Sequence, residues 1–339
     1  MSANVVAIFD KFRGTLSHGE IAISLMELAS VLGVQIDIVR VSDGGEGFSE
    51  CFDGDDTIVT VSDPFGVPQR VSWKRSDNQA IVEVAKVVGY IGLKDKRRPL
   101  DASSFGVGEL LAAIQKTEIK KILVGCGGSI TTDGGFGLVA ALGGVPFAHD
   151  LSVLALVDTR TPFNSAPRVF APQKGATPVQ VALLERRFAY LETFYRHRFD
   201  RDLGAIVGSG AAGGVSGALW ALGGEIAMTV DYTIKSHRVR SLVAGSDLVL
   251  TGEGYLDGPS LAGKVVGAVL EVAQEEKKNV VVIVGDADPE VRLQLEEQYP
   301  LVRVVSLVEE FGHASAMEQT KTVFMETISR YVKDLAGRH

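Results

Sequence analysis

The chain has 339 residues, more than one hydrophobic core usually supports, so we expect about two domains. Hydrophobic residues make up 46% of it and charged residues 22%, a composition that excludes a disordered chain. The formal net charge is −8, and an acidic chain without a basic stripe is not typical of nucleic-acid-binding proteins.

The N-terminal segment predicts a strand, a helix and a second strand. Val5 to Phe9 is a continuous apolar run typical of a buried parallel strand, without the basic start or cleavage site of a signal peptide. Ser17 is a good N-cap for a helix that Gly33 would end. Val34 to Val41 then alternates as a strand.

The middle of the chain predicts a second α/β region. Three closely spaced strand candidates suggest antiparallel pairing, at Thr57 to Val61, Val71 to Lys74 and Ile81 to Val84. Helices are predicted at Ser104 to Gln115, Gly135 to Leu142 and Pro178 to Asp202.

The C-terminal part returns to alternating strands and helices. The strands are predicted at Leu248 to Leu250, Val280 to Val284 and Val302 to Val305, and the helices at Leu261 to Gln274, Glu290 to Gln298 and around Met317 to Leu335. We expect the two ends to form one open, doubly wound sheet from residues 1–52 and 232–339, and residues 53–231 to form an inserted α/β domain.

The cysteines and the lengths of the apolar runs indicate where the protein is found in the cell. Cys51 and Cys126 are the only cysteines, which supports neither a disulfide framework nor a cysteine-ligated metal site, so a reducing cytoplasm is expected. No apolar run approaches the roughly 18 residues of a membrane span, so no membrane partner is expected.

Glycine is the unusual component. The 38 glycines are about 11% of the residues, against a typical usage of about 7%. Most of them fall into four windows, Gly44 to Gly47, Gly125 to Gly144, Gly204 to Gly224 and Gly252 to Gly267. The clustering excludes a collagen-like repeat and a flexible linker, and it indicates four special turns.

Two of these windows resemble phosphate-binding loops. Gly208 to Gly213 matches GxGxxG after the apolar run Leu203 to Val207, with Asp231 at a suitable distance for a ribose, which leaves an NAD-dependent dehydrogenase open as an alternative. A weaker hypothesis is that this turn offers backbone N–H groups to an anion. Gly258 to Lys264 matches GxxxxGK, but Val265 stands where a P-loop needs a hydroxyl.

Carboxylates beside these glycines are the candidate chemical groups. The six histidines are scattered, which argues against histidine-dependent metal sites and triads. The acidic residues each follow an apolar strand pattern and are Asp43, Glu46, Asp133, Asp158, Glu253 and Asp257. Each one could instead cap a helix or a turn. Together with few basic partners, Arg13, Lys174 and Lys264, they suit magnesium and a polyphosphate, which predicts phosphoryl transfer to a small hydroxylated substrate.

Six ordered motifs carry a family resemblance. They are Asp10 to Thr15, Ser42 to Gly47, Gly127 to Ser129 with Thr132 to Gly135, Pro172 to Ala176, Gly210 to Gly214, and Thr251 to Gly254 with Asp257, Leu261, Gly263 and Lys264. In this order the chain resembles the type 1 glycerate kinase family over nearly its whole length.

The resemblance implies a Rossmann-like domain from both termini, an inserted domain with a mixed sheet, and an active site in the cleft between them. It also implies transfer of the γ-phosphoryl group of ATP to a hydroxyl of D-glycerate, with Mg²⁺, and it leaves open which hydroxyl reacts and which aspartate is the base. A homodimer is an expectation that the sequence does not fix.

The candidate site residues fall into three groups. The catalytic candidates are Asp43, Asp133, Asp158, Arg13 and Lys174. The candidates for binding nucleotide or substrate are Asp10, Gly44, Gly45, Gly127, Gly128, Ser129, Thr132, Gly210, Gly213, Gly214, Glu253, Asp257 and Lys264. The candidate magnesium ligands are Asp43 and Asp133.

Some positions depart from the family pattern. Lys11, Arg13, Thr132 and Tyr255 stand where the family usually has Ser, Lys, Asn and Arg. These departures motivate a second hypothesis, a family member with impaired catalysis that acts as a ligand-binding or regulatory protein.

Overall fold

The computed structural model describes residues 4–12, 14–90, 98–235, 237–261 and 264–337. The chain divides into two compact units, one formed by Met1–Asp43 with Val230–His339 and the other by Gly44–Thr229. No helix among the described residues combines the length and the apolar character needed to span a membrane.

The strands of the described residues are, in chain order, β1 (Asn4–Phe9), β2 (Gln35–Arg40), β3 (Asp55–Ser62), β4 (Pro68–Ser76), β5 (Gln79–Glu83), β6 (Lys121–Gly125), β7 (Ser152–Val157), β8 (Glu225–Met228), β9 (Leu248–Leu256), β10 (Val280–Ala287) and β11 (Val302–Ser306).

The α-helices of the same residues are α1 (His18–Leu32), α2 (Val84–Val88), α3 (Phe105–Gln115), α4 (Phe136–Ala141), α5 (Ala166–Phe170), α6 (Pro178–Phe199), α7 (Ala211–Ala221), α8 (Thr229–Thr233), α9 (His237–Gly245), α10 (Gly258–Leu261), α11 (Val265–Glu275), α12 (Pro289–Gln298), α13 (Leu307–Phe311), α14 (His313–Glu318) and α15 (Thr320–Ala336).

The first unit is built on a parallel five-stranded sheet in the order β11-β10-β9-β1-β2. From β1 the chain proceeds to β2 on one side, whereas β9, on the other side of β1, leads on to β10 and β11. The strand order therefore reverses between β1 and β9, and their carboxyl ends form a topological switch point, where open α/β sheets bind ligands.

The second unit is built on a six-stranded sheet in the order β3-β4-β5-β6-β7-β8. The pairs β3/β4 and β4/β5 are antiparallel, and the pairs from β5 to β8 are parallel. The predicted fold class, an open parallel sheet from both ends of the chain and a mixed sheet between them, is confirmed.

The start and the end of α1 follow the sequence signals. The Ser17 side chain accepts a hydrogen bond from the Glu20 N–H, and the Glu20 side chain accepts one from the Ser17 N–H, which makes a capping box. Gly33 ends the helix in the left-handed conformation at φ 63°. Both predictions for this helix are confirmed.

The sequence placed the boundaries of two helices differently. The long helix predicted to reach Asp202 ends at Phe199, because Asp200 turns to φ 54° while its N–H still bonds the Arg196 carbonyl. The helix predicted from Leu261 begins at Val265, and Leu261 belongs to a separate short helix.

The boundary between the units also differs from the expected one. The contact boundary lies after Asp43, whereas the sequence placed it after residue 52. The segment that follows Asp43 belongs to the second unit because the buried Glu83 carboxylate accepts hydrogen bonds from the N–H groups of Gly47 and Ser49.

Two pairs of glycines let backbone segments of the second unit meet directly. A Cβ on Gly213 would overlap the carbonyl oxygen of Thr131, and one on Gly214 would lie 2.6 Å from the Cα of Gly134. Gly135 would in turn place its Cβ against the Ala218 methyl group. Much of the glycine excess in this region therefore serves close packing.

We expect Gly213→Ala to destabilise the second unit far more than Gly143→Ala. The two glycines have nearly the same φ, 67° and 68°, but nothing lies within 4 Å of a Cβ at Gly143. The left-handed conformation costs about 1 kcal/mol in either variant, and the overlap at Gly213 adds about 1 to 3 kcal/mol. Urea denaturation followed by tryptophan fluorescence measures this unit, since Trp73 and Trp220 both lie in it. Equal losses would contradict the packing role.

Candidate functional site

A pocket of about 500 Å³ opens in the first unit where its strands end. It lies at the switch point, because residues that follow or end β1, β9 and β10 line it. Its lining residues are Asp10, Lys11, Phe12, Thr15, Asp43, Glu253, Gly254, Tyr255, Asp257, Lys264, Gly285, Asp286, Val308, His313, Ala316, Met317 and Thr320. We call it the acidic pocket.

The name reflects the charge of its lining. Five carboxylates face two lysines and one histidine in this set. Carboxylate oxygens suit hard divalent cations, and lysines suit phosphate groups. The pocket can therefore accommodate an anion that arrives together with a cation better than a bare anion.

Asp10 is held firmly at the end of β1. Its N–H donates to the Gly252 carbonyl at 3.1 Å, which extends the pairing of β1 with β9 by one residue. Its Oδ1 accepts the Lys11 N–H at 2.7 Å and lies 3.1 Å from Nε2 of the buried His18. The carboxylate is thus oriented before any ligand binds.

Glu253 is the most perturbed acid of the pocket. Its Oε1 is buried and has no hydrogen-bond partner among the described residues. Burial raises the pKa of Glu253 to about 7, and the neighbouring Asp10 and Asp257 carboxylates add to the shift, while Ser260 and Lys264 oppose it. Near neutral pH this side chain exchanges between a charged and a neutral form.

Two other acids have local structural partners. Asp257 Oδ1 accepts the Ser260 N–H at 3.0 Å and the Ser260 hydroxyl at 2.8 Å, so it caps α10. Asp286 Oδ1 accepts the Ala287 N–H at 2.9 Å and lies 3.2 Å from the Ser306 hydroxyl. Both carboxylates are thereby fixed at the rim of the sheet.

In the second unit, Asp133 is buried and surrounded by donors. Its Oδ2 accepts the Ser104 N–H and hydroxyl, both at 2.8 Å, and the Gly137 N–H at 3.2 Å. Its Oδ1 accepts the Gly135 N–H at 3.1 Å. Four donors occupy most of the lone pairs of a carboxylate, so this geometry favours a role in tying the starts of α3 and α4 together.

Lys174, also in the second unit, is buried as well. Its Nζ donates to the Thr131 carbonyl at 2.6 Å and to the Ser129 hydroxyl at 3.3 Å. Burial lowers the pKa of Lys174 to about 7, although the Asp133 carboxylate opposes the shift. The side chain organises the segment from Ser129 to Thr131 and holds a proton that titrates near neutral pH.

Other residues that the sequence singled out lie in the same unit. Gly45 packs on Gly127, where a Cβ would lie 2.6 Å from the Gly45 Cα. The Thr132 hydroxyl is buried without a hydrogen-bond partner among the described residues. Asp158 directly follows β7 and is exposed. Burial raises the pKa of the Cys126 thiol, which keeps it in its unreactive form.

The structure thus sorts the sequence candidates into two groups. The acidic pocket of the first unit contains Asp10, Asp43, Glu253, Asp257 and Lys264. The second unit contains Gly44, Gly45, Gly127, Gly128, Ser129, Thr132, Asp133, Asp158, Lys174, Gly210, Gly213 and Gly214. Arg13, together with Gly263 of the last motif, lies outside the described residues.

Sequence reasoning missed several residues of these two groups. Lys11, Asp286 and His313 line the acidic pocket, and the buried Glu83 holds the Gly44 to Ser49 segment. Lys11 stands inside a motif that the sequence did single out. Asp286 follows Gly285 at a strand end and His313 follows Gly312, whereas Glu83 has no glycine neighbour or spacing that marks it.

The dinucleotide-binding alternative fails on its structural context. That fingerprint needs a strand directly before the glycines, and residues 203–207 form turns and irregular structure instead. Ala212, Gly213 and Gly214 all have positive φ, so the glycines make a left-handed turn that is packed against Thr131 and Gly134. The dehydrogenase interpretation is therefore wrong.

No group of three His, Cys, Asp or Glu side chains among the described residues is arranged to hold a metal ion by itself. Asp43 and Asp133, the two magnesium candidates, belong to different units. Magnesium often keeps several waters and binds through one or two carboxylates plus substrate phosphates, a mode that needs no preformed cage.

Comparison with known proteins decides the family. A model of the glycerate kinase family matches residues 5–151 and 145–336. The chain belongs to the glycerate kinase family. As a member of this family it is a phosphotransferase that acts on a small molecule.

Individual relatives agree with the family match. The glycerate 2-kinase of Escherichia coli is 29% identical over 328 residues, which cover 85% of this chain and 86% of that protein. An uncharacterised protein of Synechocystis sp. is 33% identical over 315 residues, which cover 81% of this chain and 84% of that one.

A solved structure shares the fold of this family member. The crystal structure of a candidate glycerate kinase 2 from Salmonella typhimurium LT2 aligns with a TM-score of 0.75 at 23% identity. The alignment covers 98% of this chain and 99% of that chain.

We expect Glu253→Gln to stabilise the protein at pH 8 and to lose this advantage toward pH 5. The raised pKa means that the folded state binds more protons than the unfolded state between about 4.5 and 7, so the free energy of unfolding of the wild type falls as pH rises through this window. The neutral glutamine avoids a loss of roughly 1 to 3 kcal/mol. Denaturation followed by far-ultraviolet circular dichroism measures it, with the exposed Glu297→Gln as control. A pH-independent difference would contradict the assignment.

We expect Lys174→Met to flatten the pH dependence of the stability of the second unit. Because the pKa of Lys174 is lowered to about 7, the unfolded state binds more protons between about pH 7 and 10.5, and the wild type gains stability as pH rises there. This contribution has a slope of up to about 1.4 kcal/mol per pH unit. Tryptophan fluorescence during denaturation at pH 7.5, 8.5 and 9.5 compares the variant with the exposed Lys116→Met. An unchanged slope in Lys174→Met would show that this lysine is not desolvated.

Proposed function

We propose that this protein transfers the γ-phosphoryl group of ATP to a hydroxyl of D-glycerate. The observation that carries the proposal is the family match over nearly the whole chain, together with an acidic pocket at the switch point of a parallel sheet. Phosphoryl transfer needs cationic groups that position and neutralise the phosphates, and a carboxylate near the acceptor hydroxyl. The pocket contains both lysines and carboxylates.

The residues present fit a magnesium-bound polyphosphate. Glu253 has a buried oxygen without a partner, and Asp10, Asp43 and Asp286 add carboxylates in the same pocket. We propose that these acids bind Mg²⁺ through one or two of their members, in a mode that leaves room for waters and phosphate oxygens. Bound Mg²⁺ supplies neutralisation of the charge on the transferring phosphoryl group.

The two lysines of the pocket are the candidates for binding the phosphate groups. Lys11 and Lys264 are the lysines among its lining residues, and Lys264 lies at the N-cap of α11. The start of a helix of this length favours negative charge, so Lys264 and the α11 N-terminus act in the same direction on a phosphate. We assign phosphate binding to them.

In the second unit, the buried Lys174 is the candidate for the charged group that recognises the acceptor. It anchors the segment from Ser129 to Thr131, which lies between two parts of a motif of the family resemblance, Gly127 to Ser129 and Thr132 to Gly135. We propose that this segment binds the carboxylate or hydroxyl groups of glycerate, and that Asp133 fixes the chain just after it through four hydrogen bonds from Ser104, Gly135 and Gly137.

Several expectations stay predictions from the sequence. They are the cytoplasmic location, the homodimer, the absence of a nucleic-acid partner, and an active site shared by the two units. The hydroxyl that reacts is set by how glycerate lies against the γ-phosphate, and the product itself identifies it.

The direct test uses purified protein with ATP, Mg²⁺ and D-glycerate, followed by phosphorus NMR. We expect a new phosphomonoester whose coupling to one or two protons reports the 2- or the 3-position. Lys264→Met should lower kcat/KM by about 10- to 100-fold through a weaker phosphate contact. The exposed Lys333→Met in the same unit serves as the matched control.

Two outcomes would count against this function. If no phosphoglycerate forms from D-glycerate, L-glycerate or related hydroxy acids, the phosphotransferase assignment for this substrate class is wrong. If ATP and glycerate bind without turnover, the protein is the impaired, ligand-binding member that the sequence departures suggested.

A further inference from the structure

His18 stands directly behind one wall of the acidic pocket. It is the first residue of α1 and only 3% exposed, and its Nε2 lies 3.1 Å from Oδ1 of Asp10. Asp10 itself lines the pocket. A histidine in this place therefore contacts the pocket only through the carboxylate in front of it.

The contact fixes where the imidazole carries its proton. An ionised carboxylate only accepts hydrogen bonds, so Nε2 is the donor toward Asp10. The other ring nitrogen, Nδ1, is buried without a hydrogen-bond partner among the described residues. His18 also lines a small cavity of about 10 Å³, together with Phe9, Ile21 and other mostly apolar residues.

This arrangement is unfavourable for the fold alone. A buried polar atom without a partner costs about 1 to 3 kcal/mol, which an apolar side chain at position 18 would avoid. The start of α1 does not need the ring either, because Ser17 and Glu20 already form the capping box. What only the ring adds is the N–H that Asp10 accepts.

The hydrogen bonds of the Asp10 carboxylate agree with such a role for His18. Both of the hydrogen bonds described for its carboxylate, from the Lys11 N–H and from His18, go to Oδ1. No contact to Oδ2 is described within residues 4–12, 14–90, 98–235, 237–261 and 264–337. Two donors on one oxygen hold the plane of the carboxylate and leave the second oxygen for a ligand in the pocket.

We infer that His18 is a positioning residue that orients the Asp10 carboxylate, through an Nε2–H to Oδ1 hydrogen bond, for binding the magnesium and phosphate ligand of the acidic pocket. The inference rests on the proposed function where it is tested by enzyme activity. It is also tested by NMR of the His18 ring, which needs no activity. His18 acts only through Asp10, so removing either partner should abolish the same contribution.

The activity test is a double-mutant cycle of Asp10→Ala and His18→Leu. We expect His18→Leu to lower kcat/KM by about 10- to 100-fold, as is typical when a second residue that orients a binding group is removed. In the Asp10→Ala background, His18→Leu should cause no further loss, because its effect passes through Asp10. His18→Gln, which keeps a side-chain N–H at similar reach, should restore activity to within about threefold of the wild type.

Ser24→Ala controls for damage to the helix. Ser24 is buried in α1 and its hydroxyl donates to the Glu20 carbonyl, so the variant disturbs the same helix without touching Asp10. We expect it to keep wild-type kcat/KM. Independent, additive losses in the double-mutant cycle would show a structural role for His18 and overturn the inference.

Histidine ¹⁵N NMR tests the pair without any turnover. Long-range ¹H–¹⁵N correlation should show the His18 ring protonated at Nε2, with the signal assigned by its absence in His18→Gln, and Asp10→Ala should shift it. A ring protonated at Nδ1 alone, or an Nε2 signal unchanged in Asp10→Ala, would overturn the inference. If the wild type phosphorylates no hydroxy acid but this signal behaves as expected, the proposed function fails and the Asp10–His18 pair stands.

Discussion

The parallel pairing of β1 with β9 is the interaction on which the rest of this structure depends. Val5 to Phe9 pair with Leu248 to Gly252, so the first strand of the chain is joined to one that follows the whole second unit. Gly252 permits the pairing of β9 with β10 on its other side, because a Cβ there would overlap the Ile283 carbonyl of β10. The pairing ends with Asp10 bonded to Gly252, which brings Asp10 and Glu253 to the same edge of the sheet.

The electrostatics of the acidic pocket follow from that pairing. Parallel strands end at a common edge, so acids that are remote in sequence gather there and repel each other. The protein tolerates this because two donors stabilise the Asp10 carboxylate, and because the raised pKa of Glu253 lets it carry a proton for part of the time near neutral pH. A site with such stored repulsion has a gain in free energy available when a cation enters it, which is the physical link between fold and proposed chemistry.

The sequence predicted the elements that local signals define. Ser17 and Gly33 bounded α1 correctly, and the apolar runs located the strands of the parallel sheet. The acids Asp43 and Glu253 could be selected because each follows an apolar strand pattern, and Asp10 because it begins the first motif of the family resemblance.

Long-range partners were beyond the reach of sequence patterns. No residue near Asp133 in the sequence indicates that Ser104 donates a hydrogen bond to it. Glu83 lies in an apolar run without a glycine, so the sequence does not indicate that it accepts a hydrogen bond from Ser49. His18 was one of six scattered histidines, and its meaning appears only when β1 places Asp10 beside it. The GxGxxG pattern misled because six letters do not specify the strand that must precede them.

The β1–β9 pairing also sets the order in which the protein can fold during synthesis. Ribosomes add about 5 to 20 residues per second, so β1 emerges on the order of 10 to 50 s before its partner strand exists. The second unit, Gly44–Thr229, is synthesised before β9 begins at Leu248, by a margin of roughly 1 to 4 s at these rates, so it can begin to fold first. During that time the apolar Val5 to Phe9 segment has no strand on its β9 side, which makes it a natural binding site for chaperones. The acidic pocket can therefore form only after the residues up to Thr320 have been made, and a truncated chain that ends before Leu248 would contain the whole sequence of the second unit but no pocket.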